Sequence, residues 1–174
     1  FTGKINETYF DNGEFTELNY LALDKNYLVG SIPSVAKLVK LERFQVDNNK
    51  LTGDIPESIW GLTRMKSLMI GHNKLQGTLS DKIGQLRSLE SLHLGSSGLH
   101  GTIPHTLSYS QDTLKYIDIA DNHFTGEFPS NSRILGHRSS LITAELGGND
   151  FDAGPIPEDI FHSTMTNFDI AYSN

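Results

Sequence analysis

Three carboxylates stand in equivalent places along the chain: Asp118 in "LKYIDIADN", Glu145 in "LITAELGGN" and Asp169 in "MTNFDIAYS". Their chemistry is that of ion-pair acceptors for a basic peptide or protein patch, or of hard oxygen ligands for calcium. A solvated face whose like-charge repulsion is screened is the plainer alternative. All three readings stay open at this point. The seven histidines are scattered, and His72 and His93 fall in different positions of neighbouring segments, which is poor placement for a metal pair. We therefore expect no metal and no cofactor. No G-x-S-x-G, H-E-x-x-H, P-loop or dinucleotide glycine pattern occurs, so no catalytic constellation and no enzyme is expected. "NET" (6–8) is a sequon, which makes Asn6 a glycosylation candidate in a secreted setting.

The elements that position these residues are repeats. A glycine recurs at Gly3, Gly30, Gly53, Gly77, Gly101, Gly126 and, more loosely, Gly154, with spacings of 27, 23, 24, 24, 25 and 28. Two places later stands an apolar residue: Ile5, Ile32, Ile55, Leu79, Ile103, Phe128 and Ile156. Proline follows it at Pro33, Pro56, Pro104, Pro129 and Pro157. Upstream, L-x-x-L-x-L-x-x-N keeps the same phase in "LNYLALDKN", "LERFQVDNN", "MKSLMIGHN", "LESLHLGSS", "LKYIDIADN" and "LITAELGGN".

Each part has a physical reading. The x-L-x-L-x core alternates with period two, so it is a short strand with one buried face. Successive repeats then stack these strands in parallel, about 4.8 Å apart. The asparagines Asn26, Asn49, Asn73, Asn122 and Asn149 close the strands. Their amides carry donors and an acceptor for turn groups that lack ladder partners. Ser97 occupies the same rung with a shorter, poorer hydroxyl, and Ser173 does so in the last copy. The x-x-L-x-x-L stretch, as in "ESIWGLTRM", is helix-like but short, which suits a 3₁₀ or single α-turn on the convex side.

This phase sorts the outward residues of the strands into columns. The middle column is Ala22, Gln45, Met69, His93, Asp118, Glu145 and Asp169; the one before it is Tyr20, Arg43, Ser67, Ser91, Tyr116, Thr143 and Asn167. The column after it is Asp24, Asp47, Gly71, Gly95, Ala120, Gly147 and Ala171, whose small residues leave room for a ligand. The binding candidates on this face are Asp118, Glu145, Asp169, Tyr116, His93, Met69, Arg43 and Tyr20. Arg43 is positioned to neutralise Asp24 and Asp47, and Met69 offers an exposed apolar contact.

The repeat "NKLTGDIPESIWGLTRMKSL" (49–68) resembles the leucine-rich repeat family, and within it the plant-type class with L-x-G-x-I-P after the asparagine. The resemblance covers nearly the whole chain. It implies one β-rich solenoid over residues 1–174, with about six to seven repeats. A parallel concave sheet, short second strands and 3₁₀ or short helical turns on the convex side are expected. Relatives of this kind occur in receptor-kinase ectodomains and polygalacturonase-inhibiting proteins. The implied role is non-catalytic protein or peptide recognition at the cell surface or outside the cell. A structural scaffold and an inhibitor of a secreted glycan-degrading enzyme are the alternatives. Terminal caps are missing, so we expect a part of a longer protein whose ends are covered by caps or neighbouring chains.

Composition agrees with a folded domain. The chain is 37% hydrophobic and carries a formal net charge of −7, which disfavours nucleic acid and permits a basic partner. No apolar run reaches the ~18 residues of a membrane span. Cysteine is absent, which excludes disulfides. Two longer spacers, "NETYFDNGEFTE" and the basic "PSNSRILGHRSS" with Arg133, His137 and Arg138, read as outer or lateral loops. The residues after the repeat glycines, Lys4, Ser31, Asp54, Thr78, Thr102 and Glu127, are too mixed for the threonine row that ice binding would require.

Overall fold

A computed structural model describes residues 1–127, 135, 139–154 and 165–171. Ser173, the basic spacer residues Arg133, His137 and Arg138, and Phe128, Pro129, Ile156 and Pro157 lie outside the described residues.

The x-L-x-L-x cores form β2 (Tyr20–Ala22), β4 (Arg43–Gln45), β6 (Ser67–Met69), β8 (Ser91–His93), β10 (Tyr116–Asp118), β12 (Thr143–Glu145) and β13 (Asn167–Asp169). They hydrogen-bond in parallel in the order β13-β12-β10-β8-β6-β4-β2. The register joins Tyr20, Arg43, Ser67, Ser91, Tyr116, Thr143 and Asn167 in one row, and Ala22 through Asp169 in another. The central residue of each strand points inward. Phe44, Leu68, Leu92, Ile117 and Ala144 are buried, with Val46, Ile70, Leu94 and Ile119 one pleat further on. Each large buried aliphatic side chain contributes about 1.5–3 kcal/mol relative to exposure. Because every repeat adds to one continuous apolar stack, no repeat has a closed core of its own.

The L-x-G segments form β1 (Thr2–Lys4), β3 (Tyr27–Gly30), β5 (Lys50–Gly53), β7 (Lys74–Leu75), β9 (His100–Thr102) and β11 (His123–Thr125). They make two lateral sheets, β1-β3-β5-β7 and β11-β9. The recurring glycines Gly30, Gly53, Gly77, Gly101 and Gly126 have φ of 80–83°. That left-handed conformation is open to glycine at little steric cost. Proline or serine then leads into 3₁₀ turns at Glu57–Gly61, Asp81–Gln85 and His105–Ser110. Their apolar residues, including Ile59, Trp60, Ile83 and Leu107, close the convex side of the core.

Two local features differ from the sequence reading. The first spacer is not wholly loop: Thr8–Asp11 is one α-turn, α1. Phe10 is buried there and meets Phe15 edge-on at 6.3 Å. The residue before each rung adopts a left-handed backbone, at Lys25, Asn48, His72, Ser96 and Asp121, with φ of 50–54°. Asparagine and aspartate tolerate that region best. The turn is held by ladder bonds such as Lys25 N–H to Asp47 O at 3.0 Å and His72 N–H to Gly95 O at 2.8 Å.

Candidate functional site

Behind the concave sheet runs a ladder of amides. Asn73 Nδ2 donates to Val46 O, Ile70 O and Gly71 O at 3.0–3.1 Å, and Oδ1 accepts the Leu51 N–H at 3.0 Å. Asn49 and Asn149 repeat this pattern, each donating to three carbonyls and accepting one backbone N–H. Asn26, at the first rung, donates to Leu23 O and Asp24 O and accepts from the amino group of Phe1. Asn122 does more: three carbonyls accept from it, and Oδ1 takes both the Ser97 and Leu99 N–H groups. At the Ser97 rung the hydroxyl makes only two long bonds, 3.4 Å to Ile70 O and to Gly95 O. The ladder holds each strand end in place, so the outward columns form a rigid surface.

On that surface the candidate residues fall into two groups. Tyr20, Gln45 and Met69 are linked across three strands. The Tyr20 hydroxyl donates to Gln45 Oε1 at 2.8 Å, and Gln45 Nε2 donates to Met69 Sδ at 3.1 Å. Arg43 is exposed, and no ion pair joins it to Asp24 or Asp47; it lies instead in the field of Glu42 and Glu90. The second group is His93, Tyr116, Asp118, Glu145 and Asp169. His93 Nδ1 lies 4.0 Å from Asp118 Oδ2. Tyr116 is 40% exposed.

Asp118 does not project freely from the sheet. Its side chain is 21% exposed, and Oδ1 accepts the Ala120 N–H at 3.1 Å. The carboxyl folds across the next strand: a Cβ placed on Gly95 would sit 2.5 Å from Asp118 Oδ1. The room beside Gly95 that the column of small residues suggested for a ligand therefore holds Asp118 itself. Burial pushes its pKa above the ordinary carboxylate value, against the pull of the Ala120 N–H, His93 and His72, while Asp121 adds to the rise. Asp169 Oδ1 similarly accepts the Ala171 N–H at 2.8 Å, but this residue is exposed. Glu145, half-buried on the strand between them, completes the acidic row.

Sequence reasoning missed two participants. Gln45 is the bridge between Tyr20 and Met69, and His72 reaches the field of Asp118 from a turn. The available signal was periodic: Gln45 shares the Met69 column, and His72 stands immediately before a rung. Asn6 is exposed in its sequon, and its Oδ1 accepts from the Thr8 N–H and hydroxyl at 3.1 and 3.0 Å. Among the described residues, no group of three His, Asp or Glu side chains could hold a metal ion. No helix among them is long and apolar enough to cross a membrane.

Parallel strands at one fixed period, an amide ladder and convex 3₁₀ turns define a β-rich repeat solenoid. The Leucine Rich Repeat family model matches residues 40–62 and 113–134. Among solved structures, the ectodomain of the Arabidopsis thaliana membrane receptor kinase GASSHO1/SCHENGEN3, in complex with Casparian strip integrity factor 2, is 27% identical. It superposes with a TM-score of 0.86 over 98% of this chain and 20% of that one. The Arabidopsis receptor kinase HAESA ectodomain, in complex with an extended IDA peptide hormone, is 29% identical, with a TM-score of 0.85 over 97% of this chain and 28% of that one. A plant ice-binding protein is 25% identical, with a TM-score of 0.81 over 98% of this chain and 53% of that one. This chain thus spans about a fifth to a half of these three proteins. No curated protein sequence matches it. The two matched repeats and the likeness to plant receptor-kinase ectodomains support a plant-type leucine-rich repeat family.

Proposed function

We propose that this chain is a non-catalytic recognition domain, outside the cell or at its surface, that binds a peptide or protein patch on the concave sheet. The observation that carries the reading is the in-register row of Asp118, Glu145 and Asp169 on three adjacent strands. No lysine or arginine among the described residues forms an ion pair with any of them. Like charges on directly opposed strand positions destabilise a sheet. A basic ligand compensates them, and an acidic row in register speeds encounter with such a ligand. The receptor ectodomains it resembles, one in complex with Casparian strip integrity factor 2 and one with a peptide hormone ligand, support recognition as the role. The ice-binding relative does not redirect the reading. The outward column Ser31, Asp54, Thr78, Thr102 and Glu127 offers no regular threonine row.

Selection of a random-peptide display library on the chain tests this. Enriched peptides are expected to carry lysine or arginine. Combined replacement Asp118→Ser, Glu145→Ser and Asp169→Ser is expected to weaken them at least tenfold. Enriched peptides that bind the triple variant undiminished would remove the acidic groove.

A further inference from the structure

On the convex side, the 3₁₀ turns Asp81–Gln85 and His105–Ser110 enclose a cleft whose lining includes Gly84, Gln85, Arg87 and Tyr109. Its floor exists because residue 84 is glycine. A Cβ there would come within 2.9 Å of the Tyr109 ring and 2.8 Å of Thr106 Cβ. The ring lies against the bare backbone of the preceding repeat and remains 55% exposed. The Arg87 guanidinium carbon sits 5.9 Å from the ring centroid, within cation–π reach.

Both residues are held from behind. Thr106 Oγ1 donates to Asp81 O at 2.6 Å and Ser110 Oγ to Leu86 O at 2.9 Å, which ties one turn to the next. Thr113 Oγ1 donates to Arg87 O at 3.2 Å. A stacked guanidinium on a fixed backbone loses little further freedom when it binds.

Within the cleft, charge pairing separates this arginine from its neighbour Lys82. Lys82, the other cation lining the cleft, is matched by Glu57, as Lys40, Lys66 and Lys115 elsewhere are by Glu17, Glu42 and Glu90. Arg87 makes no ion pair among the described residues, and Asp81, at the edge of the same cleft, does not reach it within 4 Å. An unmatched, stacked arginine beside an exposed tyrosine over an apolar floor has the composition of an interface hot spot.

We infer that this convex cleft is a second docking site, which takes an acidic segment of a partner protein. A carboxylate of that segment meets Arg87, and a neighbouring apolar side chain packs on Tyr109 and the Gly84 backbone. The site is independent of the concave reading, because it uses the opposite side of the solenoid and the opposite sign of charge.

The test is an NMR titration of the full chain with two blocked dipeptides, acetyl-Leu-Asp-amide and acetyl-Leu-Asn-amide. The aspartate peptide is expected to give saturable shifts at Gly84, Gln85 and Tyr109, with a dissociation constant in the millimolar range. The asparagine peptide is expected to bind at least tenfold more weakly. Arg87→Gln should abolish the difference between the two, and Arg87→Lys should retain only part of it, since lysine keeps the charge but loses the planar fork. Equal binding of the two peptides would overturn the proposal. So would shifts spread evenly over Lys40, Lys66 and Lys115, or wild-type binding by Arg87→Gln with an otherwise unchanged spectrum.

Discussion

Asn122→Ala removes five hydrogen bonds at once, but they are not equivalent. Ile119 O keeps a second donor in Asn149 Nδ2, and Ala120 O keeps the Ser96 N–H. The groups left without their partner are the Ser97 and Leu99 N–H groups and Leu94 O, all at buried residues. An orphaned buried backbone group costs about 1–3 kcal/mol. A water entering the space left by the amide recovers part of that. The expected loss is therefore about 3–5 kcal/mol, a large fraction of the ~5–15 kcal/mol that holds a typical domain together. It corresponds to a fall in Tm of about 10 °C for a chain of this size. Asn26→Ala is the control. Its rung donates only to Leu23 O, which Asn49 also serves, and to Asp24 O, and it lies at a partly exposed turn. It should cost about 1 kcal/mol or less. Guanidinium unfolding followed by circular dichroism reads the whole solenoid, while fluorescence of the sole tryptophan, Trp60, reads the N-terminal half. Because repeats couple mainly to neighbours, the dichroism midpoint of Asn122→Ala should fall further than the Trp60 midpoint. A loss below about 1 kcal/mol, or one equal to that of Asn26→Ala, would refute the ladder as the source of rigidity.

Asp118→Asn keeps the acceptor for the Ala120 N–H and removes a charge that burial disfavours. With the folded pKa raised, the native state binds the proton more tightly than the unfolded chain. Wild-type stability therefore falls as pH rises from the ordinary carboxylate range through the raised value. The variant should have the higher Tm at pH 7, with the advantage shrinking toward pH 4; a pH-independent difference would contradict this. Gly95→Ala forces its Cβ into the Asp118 carboxyl and should cost about 1–3 kcal/mol. Gly95→Ala with Asp118→Ala should cost less than the sum of the two single changes, by about 1 kcal/mol in a double-mutant cycle; additivity would mean that the two residues do not meet. Ser97→Asn should be neutral or raise the unfolding midpoint, since an amide reaches partners that the two 3.4 Å hydroxyl bonds serve poorly. A clear drop would mean that the left-handed Gly98 turn, which aims both the Ser97 and Leu99 N–H groups at Asn122, leaves no place for the longer side chain.

The architecture was legible because it rests on one number, the period. Once the x-L-x-L-x phase is set, the row from Ala22 to Asp169 follows by counting, and the register places those residues side by side. A period specifies a column but not the path of a side chain within it. Asp118 and Glu145 occupy the same column, yet Asp118 turns back over Gly95, whereas the equivalent position for Glu145 is Ala120. The difference lies in what stands one strand earlier and two residues on: glycine for Asp118, alanine for Glu145. His72 escapes column counting for another reason. It sits on a left-handed turn, whose Cβ direction does not follow the pleat. Arg87 and Tyr109 belong to different repeats and to no recurring position, so only the turn-on-turn packing over Gly84 brings them together. In a solenoid the repeated residues build the scaffold, and whatever distinguishes one repeat from the next is free to serve a partner. Gly84, Ser97, Gly98 and Tyr109 all fall between residues 84 and 109, and the chain departs there from its own pattern both at the amide ladder and on the convex side. That concentration makes this stretch the first place to look for what the domain recognises.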